Sequence, residues 1–157
     1  MREAFLNYKL KFACRDSFLI EYYLEECYMS KKIINVVAAA IEKDGKIFCA
    51  QRPEGKSLGG YWEFPGGKVE GNESLQEALE REIREELECA IIVGELLLTV
   101  DHSYPDFNIR MHCFLCSASD KKLTLNEHIN ALWLTPEEML DLDWAEADKP
   151  IVRLLTK

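Results

Sequence analysis

"GKVEGNESLQEALEREIREELEC", residues 67–89, runs from a glycine-bearing loop into a helix, and its reading decides the fold. Ser74 and Glu77 stand three apart at the head of the run. That is a capping box: the hydroxyl takes the third helical N–H and the glutamate takes the N–H of the cap, so the helix starts at Ser74. Leu75, Leu79, Ile83 and Leu87 recur every fourth residue with Ala78 beside them, which marks the core face. Glu82, Glu85 and Glu86 are spaced i, i+3, i+4, so their carboxylates gather on a neighbouring face. Like charges at that spacing repel by about 0.2–0.5 kcal/mol per pair. Two explanations compete. Glu80 with Arg84, and Arg81 with Glu85, are i,i+4 pairs, as in a solvated, salt-bridged helix. Alternatively, the carboxylates hold a hard cation against phosphate oxygens, as Mg²⁺ is commonly held. The preceding loop favours the second. Gly66 and Gly67, after Pro65, bare the backbone, and Lys68 follows at once.

Outward from this segment, strands and helices alternate. "IINVVAAAIE" (33–42) reads as a buried strand, Asp44-Gly45 as a hairpin turn and "KIFCAQR" (46–52) as the returning strand. "PEGKSLGG" (53–60) is a flexible loop. A strand is expected near 91–101, a turn at "SYPDFN", a second strand to about Ala118 and a short one at "NALWL" (130–134). Thr135, Pro136 and Glu138 form a second capping box. A last helix is expected from about Asp148 to the end, with Pro150 in its first turn. This mixture predicts an α/β fold, a sandwich around a mixed sheet.

The 157 residues suffice for one domain with a proper core. A formal net charge of -9 and a pI near 4.9 argue against nucleic acid or an anionic membrane as partners, because both demand a basic face. They leave open a phosphate-bearing small molecule with a metal between. No apolar run reaches the length of a membrane span. No apolar stretch follows a basic start in the manner of a secretory signal. Cys113 and Cys116 have a ligand-like spacing, but His102, His112 and His128 do not complete a zinc set. "NIRMHCFLCSAS" reads as a strand, on which residues three apart face opposite sides. The cysteines are therefore read as reduced packing residues of a cytoplasmic protein. Residues 1–30 stand apart: they are rich in aromatics, and Met29 leads straight into the first strand. They read either as an extension upstream of a natural start at Met29 or as a docked helix over about 16–28. The main domain is expected over 31–157.

The same helix carries a resemblance. "GKVEGNESLQEALEREIREELEC" resembles the Nudix box, in which a glycine, a glutamate six on, and an Arg-Glu-aliphatic-any-Glu-Glu run stand at fixed spacing. Gly67, Glu73, Arg81, Glu82, Ile83, Glu85 and Glu86 all match. Glu88 departs from it, standing where the family ends its helix with glycine. A left-handed residue there costs a non-glycine about 1–2 kcal/mol. "YWEFPGGKVE", "NEHINALWLTPEE" and "AEADKPIVRLL" look most like the branch containing MutT and the CTP pyrophosphohydrolases. That branch implies a Nudix-type α/β/α sandwich and Mg²⁺-dependent (Mn²⁺ as substitute) hydrolysis of (deoxy)nucleoside triphosphates to monophosphate and pyrophosphate. The substrates would be of the 8-oxo-dGTP or CTP/dCTP type, and the role removal of modified nucleotides.

By the same resemblance, Glu82, Glu85, Glu86 and the carbonyl of Gly66 are metal ligands. Glu127 binds metal or acts as general base, and Glu73 and Arg81 orient the catalytic helix. Arg52 and Lys68 resemble phosphate-side residues, against a reading as ordinary surface charges. Glu63 and Phe64 line the substrate side, where Phe64 stacks on a base or belongs to the core. Asp148 is either the N-cap of the last helix or a reader of the base edge. As a carboxylate it can only accept, which would suit an amino donor such as cytosine N4. Two other functions stay open: hydrolysis of another nucleoside diphosphate derivative such as a nucleotide sugar, and a catalytically silent nucleotide-binding domain. Monomer and homodimer are equally compatible with the chain.

Overall fold

A computed structural model describes residues 32–118 and 123–157. Both readings of residues 1–30 lie outside that range. Strand β1 spans Ile33–Lys43 and turns through Asp44 (φ 53°) and Gly45 (φ 73°) into β2, Lys46–Gln51. Two successive positive φ values are the hairpin geometry that Asp-Gly favours. β3 is Trp62–Glu63 and β4 is Gly66–Lys68. Helix α1 covers Leu75–Leu87, followed by β5 (Ile91–Ser103), β6 (Asn108–Ala118) and β7 (Asn130–Leu134). Helix α2, Lys149–Leu155, closes the chain.

The sheet is mixed. β1 pairs parallel with β6 along its length, from Ile33↔Asn108 to Glu42↔Ser117. On its other edge, β1 and β2 pair only beside the hairpin and then part. β4 takes the edge of β1 where they part, and β3 that of β2. That divergence brings the glycines of β4 into the sheet directly under α1. Side-chain alternation along β1 builds two cores. Val37, Ala39 and Ile41 pack with Ala78, Leu79, Ile83 and Leu87 of α1. Ala38 and Ala40 pack on the opposite face with Met139, Trp144, Ile151 and Val152. The expected sandwich of helices about a mixed sheet is the one observed. Cys113 belongs to one core and Cys116 to the other, as strand spacing requires.

Both capping boxes form their hydrogen bonds, with different outcomes. Ser74 accepts from Glu77 N–H and Glu77 from Ser74 N–H, and a full α-helix forms behind them. Thr135 and Glu138 exchange the same pair of bonds, but only a 3₁₀ turn, Glu138–Asp141, forms there. Met139 is fully buried against Trp144, whose Nε1 donates to the Met139 carbonyl, and the chain leaves the turn there.

Glu88 sits at φ 51°, ψ 34°, the left-handed position that the family fills with glycine. The helix ends where a glycine would end it, with the Glu88 N–H on the Arg84 carbonyl. The three later carbonyls are taken by Asn126 and Thr124. Asn126 Nδ2 bonds Glu85 O at 2.8 Å, its N–H bonds Glu86 O, and the Thr124 N–H bonds Leu87 O. This external cap satisfies groups that would otherwise be orphaned. Relief of the left-handed strain by Glu88→Gly should stabilise the protein by about 1 kcal/mol. A higher urea midpoint at unchanged slope checks this; an equal or lower midpoint counts against it.

Candidate active site

The bare backbone of β4 and the inner face of α1 meet edge to edge. Glu82 presses its carboxylate against Gly67 so closely that a Cβ there would lie 2.4 Å from it. Gly66 has φ 151°, and a Cβ on it would lie 2.1 Å from the Val37 carbonyl. Its N–H points to α1 and donates to Glu86 Oε2 at 3.1 Å. The two glycines thus have separate reasons: Gly66 admits β1, and Gly67 admits a carboxylate.

The acids are held individually. Arg81 grips Glu73 with two bonds, Nε–Oε2 at 3.1 Å and Nη2–Oε1 at 2.7 Å. Arg81 also donates to Glu82 Oε1 at 2.9 Å and to the Lys68 carbonyl at 3.0 Å, and lies 3.5 Å from Glu85. It therefore ties the loop, β4 and α1 together. Glu86 is buried, and its carboxyl is pushed up to about 8. Burial contributes most, then the charge of Glu63, with Glu82 and Glu127 behind it, against the lowering bond from Gly66. Among the described residues no basic side chain pairs with Glu86.

The three box glutamates do not share one orientation. Glu82 and Glu86 face β4, whereas the Glu85 side chain is 60% exposed and leans on Arg81. Among the described residues no three His, Cys, Asp or Glu side chains close on a metal position. Arg81 bonds Glu82 and lies beside Glu85, so the three carboxylates do not converge on one point. The donor set still suits a hard cation. It consists of oxygens only, and Glu86 is raised by three neighbouring carboxylates whose mutual repulsion a divalent charge would relieve.

Beside β4 opens a cavity of about 350 Å³. Its walls are mainly apolar, with Ile34, Val36, Ile109 and Met111, and its polar side chains are few: Arg52, Ser57, Glu63, Lys68, Tyr104 and Asp148. A mainly apolar recess with a few placed polar groups is the usual form of a small-molecule site. Glu63 is clamped on both oxygens, by Arg52 Nη1 at 2.6 Å and His128 Nε2 at 2.9 Å. The Phe64 ring belongs to the core: it is 3% exposed and stacks on Trp144 at 4.8 Å. Lys68 is exposed at the cavity mouth. Glu127 is half-exposed beside the end of α1, its carboxyl held below the usual range by Lys56, whose Nζ is 2.6 Å away.

Asp148 stands at the N-cap position of α2, its carbonyl accepting from the Ile151 and Val152 N–H groups, but its side chain makes no capping bond. The segment 143–145 pairs with β3, through Trp62 N–H to Asp143 O and Ala145 N–H to Trp62 O. That pairing turns Asp148 inward, where Oδ1 accepts from Phe64 N–H at 3.0 Å. Burial, then the charge of Glu63, raise its carboxyl to about 8, against the Phe64 bond and Arg52. Asp148 thus holds its proton more tightly than an ordinary aspartate; its protonated form can donate, where its ionised form only accepts. Lys56, Asn126 and His128 are contacts that the sequence reading missed; no local pattern marks them.

Two buried acids raised from 3.8 and 4.5 to about 8 make a pH prediction for the metal-free protein. Between about pH 4 and pH 8 the unfolded chain has released these protons and the folded chain keeps them. Stability therefore falls as pH rises through that window. Glu73, Glu77 and Asp101 are lowered instead, so their contribution is lost only in more acidic solution. Urea midpoints should drop from pH 5.5 to pH 8.5, and less steeply in Asp148→Asn; a flat or rising profile contradicts the assignment.

Comparison with known proteins agrees with this geometry. The NUDIX domain model matches residues 36–154. A CTP pyrophosphohydrolase of Escherichia coli is 43% identical over 121 residues, 77% of this chain and 90% of that protein. An 8-oxo-dGTP diphosphatase of Proteus vulgaris is 42% identical over 97 residues, covering 61% of this chain and 87% of that protein. The solution structure of a MutT Nudix protein from methicillin-resistant Staphylococcus aureus superposes with a TM-score of 0.67 at 48% identity, over 80% of this chain and 97% of that one. Domain match, relatives and the glycine–carboxylate junction converge, and the chain belongs to the Nudix family as a hydrolase of the MutT type.

Proposed function

We propose that this hydrolase cleaves (deoxy)nucleoside triphosphates, oxidised or modified ones included, to the monophosphate and pyrophosphate, with Mg²⁺ as its cation and the nucleotide pool as its workplace. Nudix hydrolases in general use divalent cations. The observation that carries the reading is the junction of β4 and α1, where carboxylates crowd bare backbone at the mouth of the apolar cavity. The domain is assigned to 31–157 and its location to the cytoplasm. Among the described residues no helix is long and apolar enough to cross a membrane.

In this reading Glu82, Glu85, Glu86, the Gly66 carbonyl and Glu127 supply oxygens to the cation. When bound, the cation would offset polyphosphate charge and lower the pKa of a water. Arg81, gripped by Glu73, sets where Glu82 and Glu85 start from. Of the three acids whose charges act on Glu86, Glu127 is more exposed than Glu63 or Glu82, a suitable place for taking a proton from the attacking water. Lys68 and Arg52 face the phosphate side of the cavity, and Glu63 holds Arg52 in place. Asp148 reads the base. With Oδ1 committed to Phe64, its other oxygen donates when protonated and accepts when ionised, so base choice depends on pH.

The test is kcat/KM for CTP, 5-methyl-dCTP, dGTP and 8-oxo-dGTP at pH 6.5 and pH 9. The ranking should shift between the two pH values, and Asp148→Asn should hold it fixed. A ranking independent of pH in the unsubstituted protein would remove Asp148 as reader. A panel without any triphosphate turnover would remove the function.

A further inference from the structure

The charge pattern around α1 has a second layer. Of the acids proposed to meet the cation, Glu82 and Glu85 lean on Arg81, and Glu127 leans on Lys56. Arg81 has a further structural duty on Glu73 and Lys68. Lys56 shows none among the described residues, where its Nζ bonds Glu127 Oε2 at 2.6 Å. Both side chains are 51% exposed, so the pair is not a packing necessity.

What holds Lys56 there is a braced loop. Lys56 N–H bonds Pro53 O, Gly59 N–H bonds Lys56 O, Gly60 N–H bonds Arg52 O, and Arg52 Nε bonds Ser57 O at 2.8 Å. Leu58 takes a left-handed φ of 58° to close it. On the other side, Asn126 docks Glu127 against the end of α1, and Ile129 N–H on Gln51 O fixes the following residue pair. Two well-anchored segments thus aim an ammonium at a carboxylate beside Glu86, the one acid there without a cation of its own among the described residues. A divalent ion entering the cluster must contend with that ammonium for Glu127.

We propose that Lys56 is a positioning residue, a resident cation that holds Glu127 beside the cluster and yields it to the incoming divalent ion. The inference rests on the metal-dependent reading above. It implies that Lys56 weakens cation binding to the nucleotide-free protein, and does so through Glu127.

The test is Mn²⁺ binding to nucleotide-free protein, by titration calorimetry and the signal of free Mn²⁺, at fixed ionic strength of about 0.1 M. Lys56→Met should tighten binding about two- to five-fold, the range of an exposed ion pair. Lys56→Arg, which keeps the pair, should leave it near the original. In a Glu127→Gln background, Lys56→Met should change little. Unchanged or weaker binding by Lys56→Met, or equal tightening in both backgrounds, would overturn the proposal while leaving the metal reading intact. Failure of the unsubstituted protein to bind Mn²⁺ would overturn both.

Discussion

Replacing Glu85 by glutamine is expected to lower kcat by about 10²–10⁴-fold while the protein keeps its fold. The expectation comes from where Glu85 sits. Its side chain is 60% exposed and touches Arg81 only at 3.5 Å, so the substitution removes a weak surface ion pair. Such pairs contribute at most about 1 kcal/mol. Arg81 keeps its bonds to Glu73, Glu82 and Lys68, so α1 stays docked. A residue of little structural consequence with a large kinetic one must act on the reaction. Circular dichroism and the urea midpoint should match the unsubstituted protein. Near-normal turnover would mean that Glu85 is an ordinary surface acid and that the salt-bridged-helix reading of its turn is right.

The second large effect separates the two glycines. Gly66→Ala should not yield soluble native protein, because its Cβ would meet the Val37 carbonyl at 2.1 Å and neither backbone can withdraw from the sheet. Gly67→Ala should fold. Its Cβ meets the carboxylate of Glu82, the far end of a flexible side chain that can swing away. The cost falls on Glu82 and on its bond from Arg81, and displacement by about 1 Å is enough for roughly a hundred-fold loss in kcat/KM. The decisive comparison is stability against activity in Gly67→Ala. A folded variant with full activity would show that Glu82 need not lie against β4.

Much of this architecture is legible in local sequence, and the illegible part has a common cause. The Asp44-Gly45 hairpin, the Ser74–Glu77 box, the Leu75–Leu87 stripe and the opposite facing of Cys113 and Cys116 depend on neighbours within a few residues, and each forms as read. The Thr135 box shows the limit: its bonds form, yet burial of Met139 stops the helix at a single turn. The site is built from distant pairs. Lys56 meets Glu127 across 71 residues, Glu63 meets His128 across 65, and Phe64 meets Asp148 across 84. No periodicity encodes these. Asp148 is the clearest case: its position before α2 suggests a cap, but the pairing of 143–145 with β3 turns it into the cavity. There burial raises the affinity of its carboxyl for a proton. The glutamates obey the same rule. Their spacing places them on one face, but the guanidinium of Arg81 decides which way Glu82 and Glu85 point.

The central claim is that carboxylates gathered over bare glycine backbone serve a cation-dependent cleavage of a triphosphate. ³¹P NMR of CTP and 8-oxo-dGTP turnover, with Mg²⁺ and with chelator, tests it most directly. Equimolar nucleoside monophosphate and pyrophosphate should appear with Mg²⁺, and neither should appear with chelator. Release of orthophosphate, turnover that persists without a divalent cation, or inert triphosphates would contradict the account.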